Sequence, residues 1–157
     1  MNYAEWLGTV PSEITNDPIW KLEAYRLALF AGDIGWNDIL ALSKNNLMWG
    51  VADQLHRSLG SISANLTEGY SRSKGLDRAR FIEFSLGSAR ESRDWYYKSR
   101  HVLPAEVIKH RMELVTRIIS MLAPMISHQR KHAIREEQAE YNIQPSTLSL
   151  DSEIPFP

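Results

Sequence analysis

Apolar residues recur along most of this chain at steps of three and four, which is the spacing of one face of an α-helix. Between positions 51 and 66 they form one row: Val51, Leu55, Leu59, Ile62 and Leu66. One position back runs a polar row with the same period: Gln54, Ser58, Ser61, Asn65 and Glu68. The polar row lies about 100° around the same helix, at the edge of its buried face. The pattern predicts an amphipathic helix over residues 47–70.

A polar turn over residues 70–76 separates this helix from a predicted helix over residues 77–101. One face of the later helix has large residues at both ends and small ones in the middle: Phe81, Phe84, Ser88, Ser92 and Trp95. Residues 87–89 are glycine, serine and alanine, so another backbone can come close there. The two helices are therefore expected to pack as a hairpin.

A polar clasp is predicted between the two helices of this hairpin. A half-buried amide or carboxylate without a partner costs roughly 1–3 kcal/mol or more, so Asn65 and Glu68 need partners. The side chains close to the turn can supply them, which gives the predicted members of the clasp: Arg57, Ser61, Asn65, Glu68, Ser88 and Glu91.

The helix that precedes the hairpin is predicted to start at Asp17. Its side chain can cap free amides, and the proline that follows is favoured at the first helical position. Two glycines, Gly32 and Gly35, each cost about 1 kcal/mol relative to alanine in a helix interior. They leave two alternatives, a break near Phe30 or a helix that continues to Ser43.

The last predicted helix opens at Pro104 and carries two apolar rows. The first repeats at four and three, as in antiparallel bundles: Ile108, Met112, Val115, Ile119, Leu122, Ile126 and Gln129. The second consists of Leu114, Ile118, Met121 and Met125. A small bundle rarely needs both, so the second row is expected to face another subunit. Pro124 removes one hydrogen bond of the helix and predicts a kink.

Together these elements predict an all-α fold, an antiparallel up-down four-helix bundle over residues 17–141. Residues 1–16 read either as an arm that packs through Trp6 and Leu7 or as a short helical turn. Residues 142–157 hold three prolines and several serines and are expected to form a flexible tail.

Composition narrows the classes of function. The chain has 157 residues, no cysteine and a formal net charge of −1. Disulfides and thiolate metal sites are thus excluded, and bulk charge does not favour coating of nucleic acid. No apolar run is long enough to span a membrane, and the first residues carry acid rather than the basic start of a secretory signal. We expect a cytoplasmic protein.

No catalytic residue, metal ligand or cofactor is predicted. His128 and His132 have helical metal-site spacing, but two cations lie between them and the general-base glutamate is absent. Glu68 and Glu91 could form a carboxylate pair for acid–base chemistry or metal binding. A structural role is favoured for them, because arginines close by could neutralise both.

Two basic clusters are candidates for nucleic-acid binding. Four cations surround the turn and three follow on the last helix: Arg72, Lys74, Arg78, Arg80, Arg130, Lys131 and Arg135. Basic groups at helix ends and turns can position phosphates, and Tyr70, Tyr96 and Tyr97 offer faces for stacking. The alternative is a solvated, charge-balanced surface. A symmetric ring would favour binding, because it repeats one patch and adds avidity.

The hairpin also resembles a known family, the small four-helix bundles that include the intervening-sequence proteins encoded inside 23S ribosomal RNA genes. The resemblance covers roughly residues 19–130. It rests on Gln54, Leu55, Arg57, Ser61, Ile62, Asn65, Glu68, Gly69, Arg72, Phe81, Gly87, Ser88 and Glu91. It implies a homo-oligomer that forms a ring, with a pentamer favoured. It also implies a link to accessory proteins of reverse transcriptases in diversity-generating retroelements, which bind nucleic acid.

Three hypotheses for function follow. The first is a non-enzymatic, homo-oligomeric bundle that binds RNA or DNA, or a nucleoprotein partner such as a reverse transcriptase. The second is a protein-interaction scaffold with no nucleic-acid contact. The third, and the least favoured, is a carboxylate-based enzyme or metal site at Glu68 and Glu91.

Overall fold

The computed structural model describes the backbone of residues 2–141 and the side chains of residues 2–131. Two short helices lead in, α1 (Tyr3–Leu7) and α2 (Ser12–Thr15), and a 3-10 turn follows over Pro18–Lys21. The four long helices are α3 (Glu23–Ser43), α4 (Trp49–Tyr70), α5 (Gly75–Ser99) and α6 (Ala105–Tyr141). The predicted tail, residues 142–157, lies outside the described residues.

The four long helices pack as an up-down bundle, which confirms the predicted fold class. Each packs against the next along the chain, and α6 closes the bundle against α3. The apolar row of α4 forms the centre of the core, with Leu55, Leu59, Ile62 and Leu66 all buried. Across the part of the chain that is described, none of the helices is apolar over a length that could cross a membrane.

The second apolar row of α6 packs within the chain, so the prediction that it faces another subunit is wrong. Ile118 is fully buried in the main core, and Met121 and Met125 are partly buried against it. Leu114 packs against Trp6 and its neighbours. Three members of the row thus belong to the main core, and Leu114 also covers the N-terminal arm.

The N-terminal arm is helical and also packs on the bundle through Trp6 and Leu7, so both predicted alternatives are confirmed. Trp6 is only 2% exposed, and its Nε1 donates a hydrogen bond of 2.6 Å to Asp33 Oδ2 on α3. Its ring lies 5.3 Å from that of Phe30 and 5.8 Å from that of Tyr3. Leu7 is partly buried against the same cluster. Burial of one large aromatic side chain thus fixes the arm.

Glycines allow close helix contacts in two places. The helix α3 runs unbroken through both Gly32 and Gly35, so the alternative of a break near Phe30 is wrong. At Gly35 a Cβ would lie 2.5 Å from Leu59 Cδ1, so α3 and α4 approach closely there. Gly69 is a buried helical residue near the end of α4, and no described residue has positive φ. A Cβ at Gly69 would lie 2.8 Å from Phe81 Cβ, so α4 and α5 approach closely there.

The start of the first long helix differs from the prediction. The α-helix of α3 begins at Glu23 rather than at Asp17, because residues after Asp17 first form the 3-10 turn. Asp17 does cap that turn, since its carboxylate accepts a hydrogen bond from the backbone of Ile19 at 3.0 Å. Pro124 lies inside α6, and the helix continues through it.

Candidate nucleic-acid interface

The register between α4 and α5 is set by small side chains. Ser92 Oγ donates to Ser58 Oγ at 2.9 Å, and Ser85 Oγ donates to the carbonyl of Ile62 at 2.8 Å. All three serines are buried. These bonds place each part of α5 opposite a definite part of α4.

The predicted clasp is wrong in its members, because their hydrogen bonds stay within their own helix or its adjoining turn. Asn65 donates to the carbonyl of Ser61 at 2.8 Å, and Ser88 donates to that of Phe84 at 3.0 Å. The charged members behave in the same way, in the pairs Arg57–Asp53, Glu68–Arg72 and Glu91–Trp95.

The predicted clasp residues do not meet because α5 buries a different face from the one predicted. Its buried row is Ile82, Ser85, Ala89, Ser92 and Tyr96, about 100° from the row that the aromatic residues indicated. Ser85 is the residue that the sequence reasoning missed. Its spacing could have identified it, because Ser85 is three residues from Ile82 and four from Ala89, in a row of mostly small side chains.

A buried charged network, which the local sequence patterns do not reveal, joins three helices. Asp38 of α3, 5% exposed, accepts hydrogen bonds from Tyr96 of α5 at 3.0 Å and from Arg111 Nε of α6 at 2.7 Å. Burial, and then the negative charge of Asp38, raise the pKa of the Tyr96 hydroxyl well above its ordinary value. Every polar group here has a partner, which indicates a structural role.

The two predicted basic clusters meet at one end of the bundle. Arg130 of α6 forms an ion pair with Glu83 of α5, so the far part of α6 lies beside the first part of α5. Arg78 of α5 donates to the carbonyl of Arg72 in the α4–α5 turn. We call this surface the basic end: Arg72, Lys74, Arg78, Arg80, Arg130 and Lys131. The side chain of Arg135 lies outside the described residues.

Positive charge exceeds negative charge at the basic end. Its six cations stand beside three acidic residues, Glu68, Asp77 and Glu83. Glu68 pairs with Arg72 and Glu83 pairs with Arg130. Within the described side chains Lys74, Arg80 and Lys131 have no ion-pair partner, and all three are exposed. These cations are available to an anionic ligand.

The aromatic residues expected to stack are distributed differently from the prediction. Tyr96 is 1% exposed and bonded to Asp38, so it cannot receive a base. Tyr97 is exposed, but it lies near the end of α5 remote from the turn. Tyr70 is exposed at the basic end, and so is Phe84, which the sequence reasoning placed on the buried face.

The carboxylates of Glu68 and Glu91 are not assembled into a pair. Glu68 is next to Gly69, which lies against Phe81 of α5. Glu91 is next to Ser92, which contacts Ser58 of α4. Glu68 and Glu91 are thus separated by about ten residues of α4, or about 15 Å along the bundle. Each is exposed and bonded to a neighbour in sequence. The geometry offers no shared site for two-carboxylate chemistry.

Apolar side chains are exposed at the opposite end, where α3 finishes and α4 starts. Leu47 is 91% exposed and Trp49 is 64% exposed, and Trp36 and Leu40 are about half exposed. A groove of about 420 Å³ runs beside Trp36 between α3 and α4. Gly32 and Gly60 line it, and neither has an atom near the place of a Cβ.

Comparisons with known proteins agree with this architecture. The family model of the 23S rRNA-intervening sequence protein matches residues 36–124. Among solved structures, the chain is similar to a protein of unknown function from Bacteroides thetaiotaomicron VPI-5482, described as from the S23 ribosomal protein family. The two are 20% identical with a TM-score of 0.61, and the match covers 66% of this chain and 97% of the other. No curated protein matches the chain.

Proposed function

Since the chain belongs to the 23S rRNA-intervening sequence protein family, we propose that it is a non-enzymatic, homo-oligomeric bundle that binds nucleic acid. The basic end is the proposed contact, and the phosphate backbone is its target. No enzymatic step is assigned to Glu68 or Glu91, because the bundle separates their carboxylates.

The ion pair between Arg130 and Glu83 is the observation that carries this proposal. It joins two clusters separated by about fifty residues of sequence into one surface on α4, α5 and α6. Neither cluster alone has more than four cations in the described part of the chain. Several cations on one surface are what binding of successive phosphates needs, because each neutralised phosphate releases a counterion.

The near-neutral net charge is compatible with this role. The formal charge of −1 is a sum over the whole chain, whereas attraction of a polyanion depends on local charge within about one Debye length, roughly 8–10 Å in physiological salt. A homo-oligomer would repeat the basic end on each subunit and strengthen weak contacts by avidity.

The test is binding of fluorescently labelled RNA and DNA over a range of salt concentrations. The double variant Lys74→Ala/Lys131→Ala removes two exposed cations of the basic end, and the slope of log affinity against log salt should fall by about 2. The matched control is Lys44→Ala/Lys109→Ala, which removes two exposed cations elsewhere. Equal slopes for both double variants, or no retention of nucleic acid at low salt, would overturn the proposal.

Self-association is proposed to use the exposed apolar end of α3 and α4. Leu47 and Trp49 are large, apolar and mostly exposed, which is typical of interaction surfaces. A ring, with a pentamer favoured by resemblance, is the proposed assembly. Light scattering of the wild type should give a mass several times that of one chain. The Trp49→Gln variant should give a smaller mass. A monomeric wild type would contradict the assembly.

The same apolar surface favours the second candidate function, a scaffold that binds another protein and no nucleic acid. In that case a protein such as a reverse transcriptase should co-purify with the chain. Trp49→Gln should release it, while Lys74→Ala/Lys131→Ala should leave it bound.

A further inference from the structure

We infer that the basic end selects single-stranded nucleic acid, by stacking an unpaired base on the ring of Phe84. This inference rests on the proposed function and deepens it, because phosphate contacts alone do not distinguish single strands from duplexes.

Phe84 has the position of a stacking platform. Its side chain is 47% exposed on the outward face of α5, although a phenyl ring gains about 2–3 kcal/mol from full burial. The guanidinium of Arg80 lies over one face of its ring, 5.5 Å from the centre, so a base would stack on the opposite face. An aromatic face beside a cation binds bases without regard to sequence, because every base has a π-face and a nearby phosphate.

The platform is rigid because Phe81 supports it. The rings of Phe81 and Phe84 meet edge to face, with centroids 5.8 Å apart and an interplanar angle of 86°. Phe81 is held by the close approach of α4 at Gly69, and Arg72 lies over its ring at 5.0 Å. A fixed ring loses little conformational entropy when a ligand binds.

Cations flank Phe84 on both sides. On the side of α4, Arg72 lies over the neighbouring Phe81. On the side of α6, Arg130 is paired with Glu83, the residue next to Phe84 in sequence. A strand that crosses α5 between these arginines would place phosphates near each of them and a base over Phe84.

Base pairing would prevent this contact. In a duplex the faces of the bases are stacked on one another, and an aromatic side chain reaches them only after unstacking that costs energy. Bases in a single strand or a loop are already accessible. Phe84 should therefore contribute to binding of single strands and not to binding of duplexes, whereas the lysines should contribute to both.

The experiment compares an oligouridylate, an oligothymidylate and a duplex of the same length with the full chain. Phe84→Leu keeps an apolar side chain and removes the ring, and it should weaken binding of both single strands by about tenfold, a typical loss of one stacked base. Its binding of the duplex should not change. Phe84→Tyr keeps the ring and should bind single strands like the wild type.

Tyr97→Leu is the matched control. Tyr97 is an exposed aromatic residue on the same helix with Arg100 lying 4.0 Å from its ring centre, but it is about 20 Å along α5 from Phe84. Its replacement should leave binding unchanged. Both leucine variants replace exposed rings, so the unfolding temperatures of the two should be similar.

Three results would overturn the inference: an equal effect of Phe84→Leu on single strands and duplex, no effect on either, or a change of oligomeric state. If the lysine variants still lower affinity for all three probes, the proposed function stands and only the stacking role fails. If the lysine variants have no effect, the proposed function fails on its own grounds.

Discussion

Arg111 of α6 holds Asp38 of α3 through two nitrogens, with Nε 2.7 Å from Oδ2 and the second nitrogen 3.3 Å from Oδ1. Tyr96 of α5 donates to the same carboxylate at 3.0 Å. One buried negative charge thus connects three of the four long helices. The two charged residues are 73 positions apart in sequence.

Replacement of Arg111 should strongly destabilise the bundle. Arg111→Met leaves the carboxylate of Asp38 buried without a counter-charge, a change that typically costs about 3–5 kcal/mol. Urea denaturation measures the loss. Arg57→Met is the control, because its pair with Asp53 is exposed and should contribute less than about 1 kcal/mol. Similar losses in both variants would show that the Asp38 carboxylate is not held as described.

The raised pKa of the Tyr96 hydroxyl predicts that the protein loses stability at alkaline pH. Burial and Asp38 raise the pKa of its hydroxyl above the ordinary value of 10.0, so the folded state favours the protonated phenol. Its contribution is complete below the pKa of the unfolded chain and is lost as the pH rises above about 10, by up to about 1.4 kcal/mol per pH unit. The free energy of unfolding of Tyr96→Phe should fall less steeply over this range.

Tyr97→Phe is the control for that experiment, because Tyr97 is exposed. Its alkaline profile should follow the wild type. If the profile of Tyr96→Phe also follows the wild type, the hydroxyl of Tyr96 ionises equally easily in the folded and unfolded chain.

Two glycines of α4 should respond to alanine in opposite directions. At Gly69 the new Cβ would lie 2.8 Å from Phe81 Cβ, and crowding of this kind typically costs about 1–3 kcal/mol. At Gly60 no atom lies within 4 Å of the new Cβ, so alanine should stabilise the helix by about 0.5–1 kcal/mol. Thermal unfolding of both variants measures the difference. A stabilising Gly69→Ala would contradict the close approach of α4 and α5.

The N-terminal arm should be part of the cooperative fold. Trp6→Ala removes a buried indole and its bond to Asp33, and such changes cost about 3–5 kcal/mol. Leu76→Ala changes an apolar residue that is half exposed and lies outside the proposed self-association surface, and it should lower the free energy of unfolding much less. An arm that unfolds separately at low urea concentration would contradict this expectation.

The sequence predicted the buried face of α4 correctly and that of α5 incorrectly. In α4 the core row consists of leucine and isoleucine, so the apolar period and the buried face coincide. In α5 the aromatic residues Phe81, Phe84 and Trp95 indicated the wrong face. The close approach to α4 admits small residues such as Ser85 and Ser92, and it displaces large rings toward the edge and the solvent.

The candidate site was only half predictable for a related reason. The sequence identified the cations of both basic clusters, because a run of arginine and lysine near a turn is a local signal. The pairing of Arg130 with Glu83, and the exposure of Phe84, depend on how α6 and α4 lie against α5.

The sequence by itself determined that the chain forms four long helices, in what order, and where the turns fall. It did so because helical periodicity, capping and turn chemistry act over a few neighbouring residues. Tertiary structure alone decided the register of α4 on α5, the docking of the arm onto α3, the partners of Asp38 and the union of the two basic clusters. Each of those depends on the fit of surfaces far apart in the chain, and close packing selects among alternatives that local patterns leave equal.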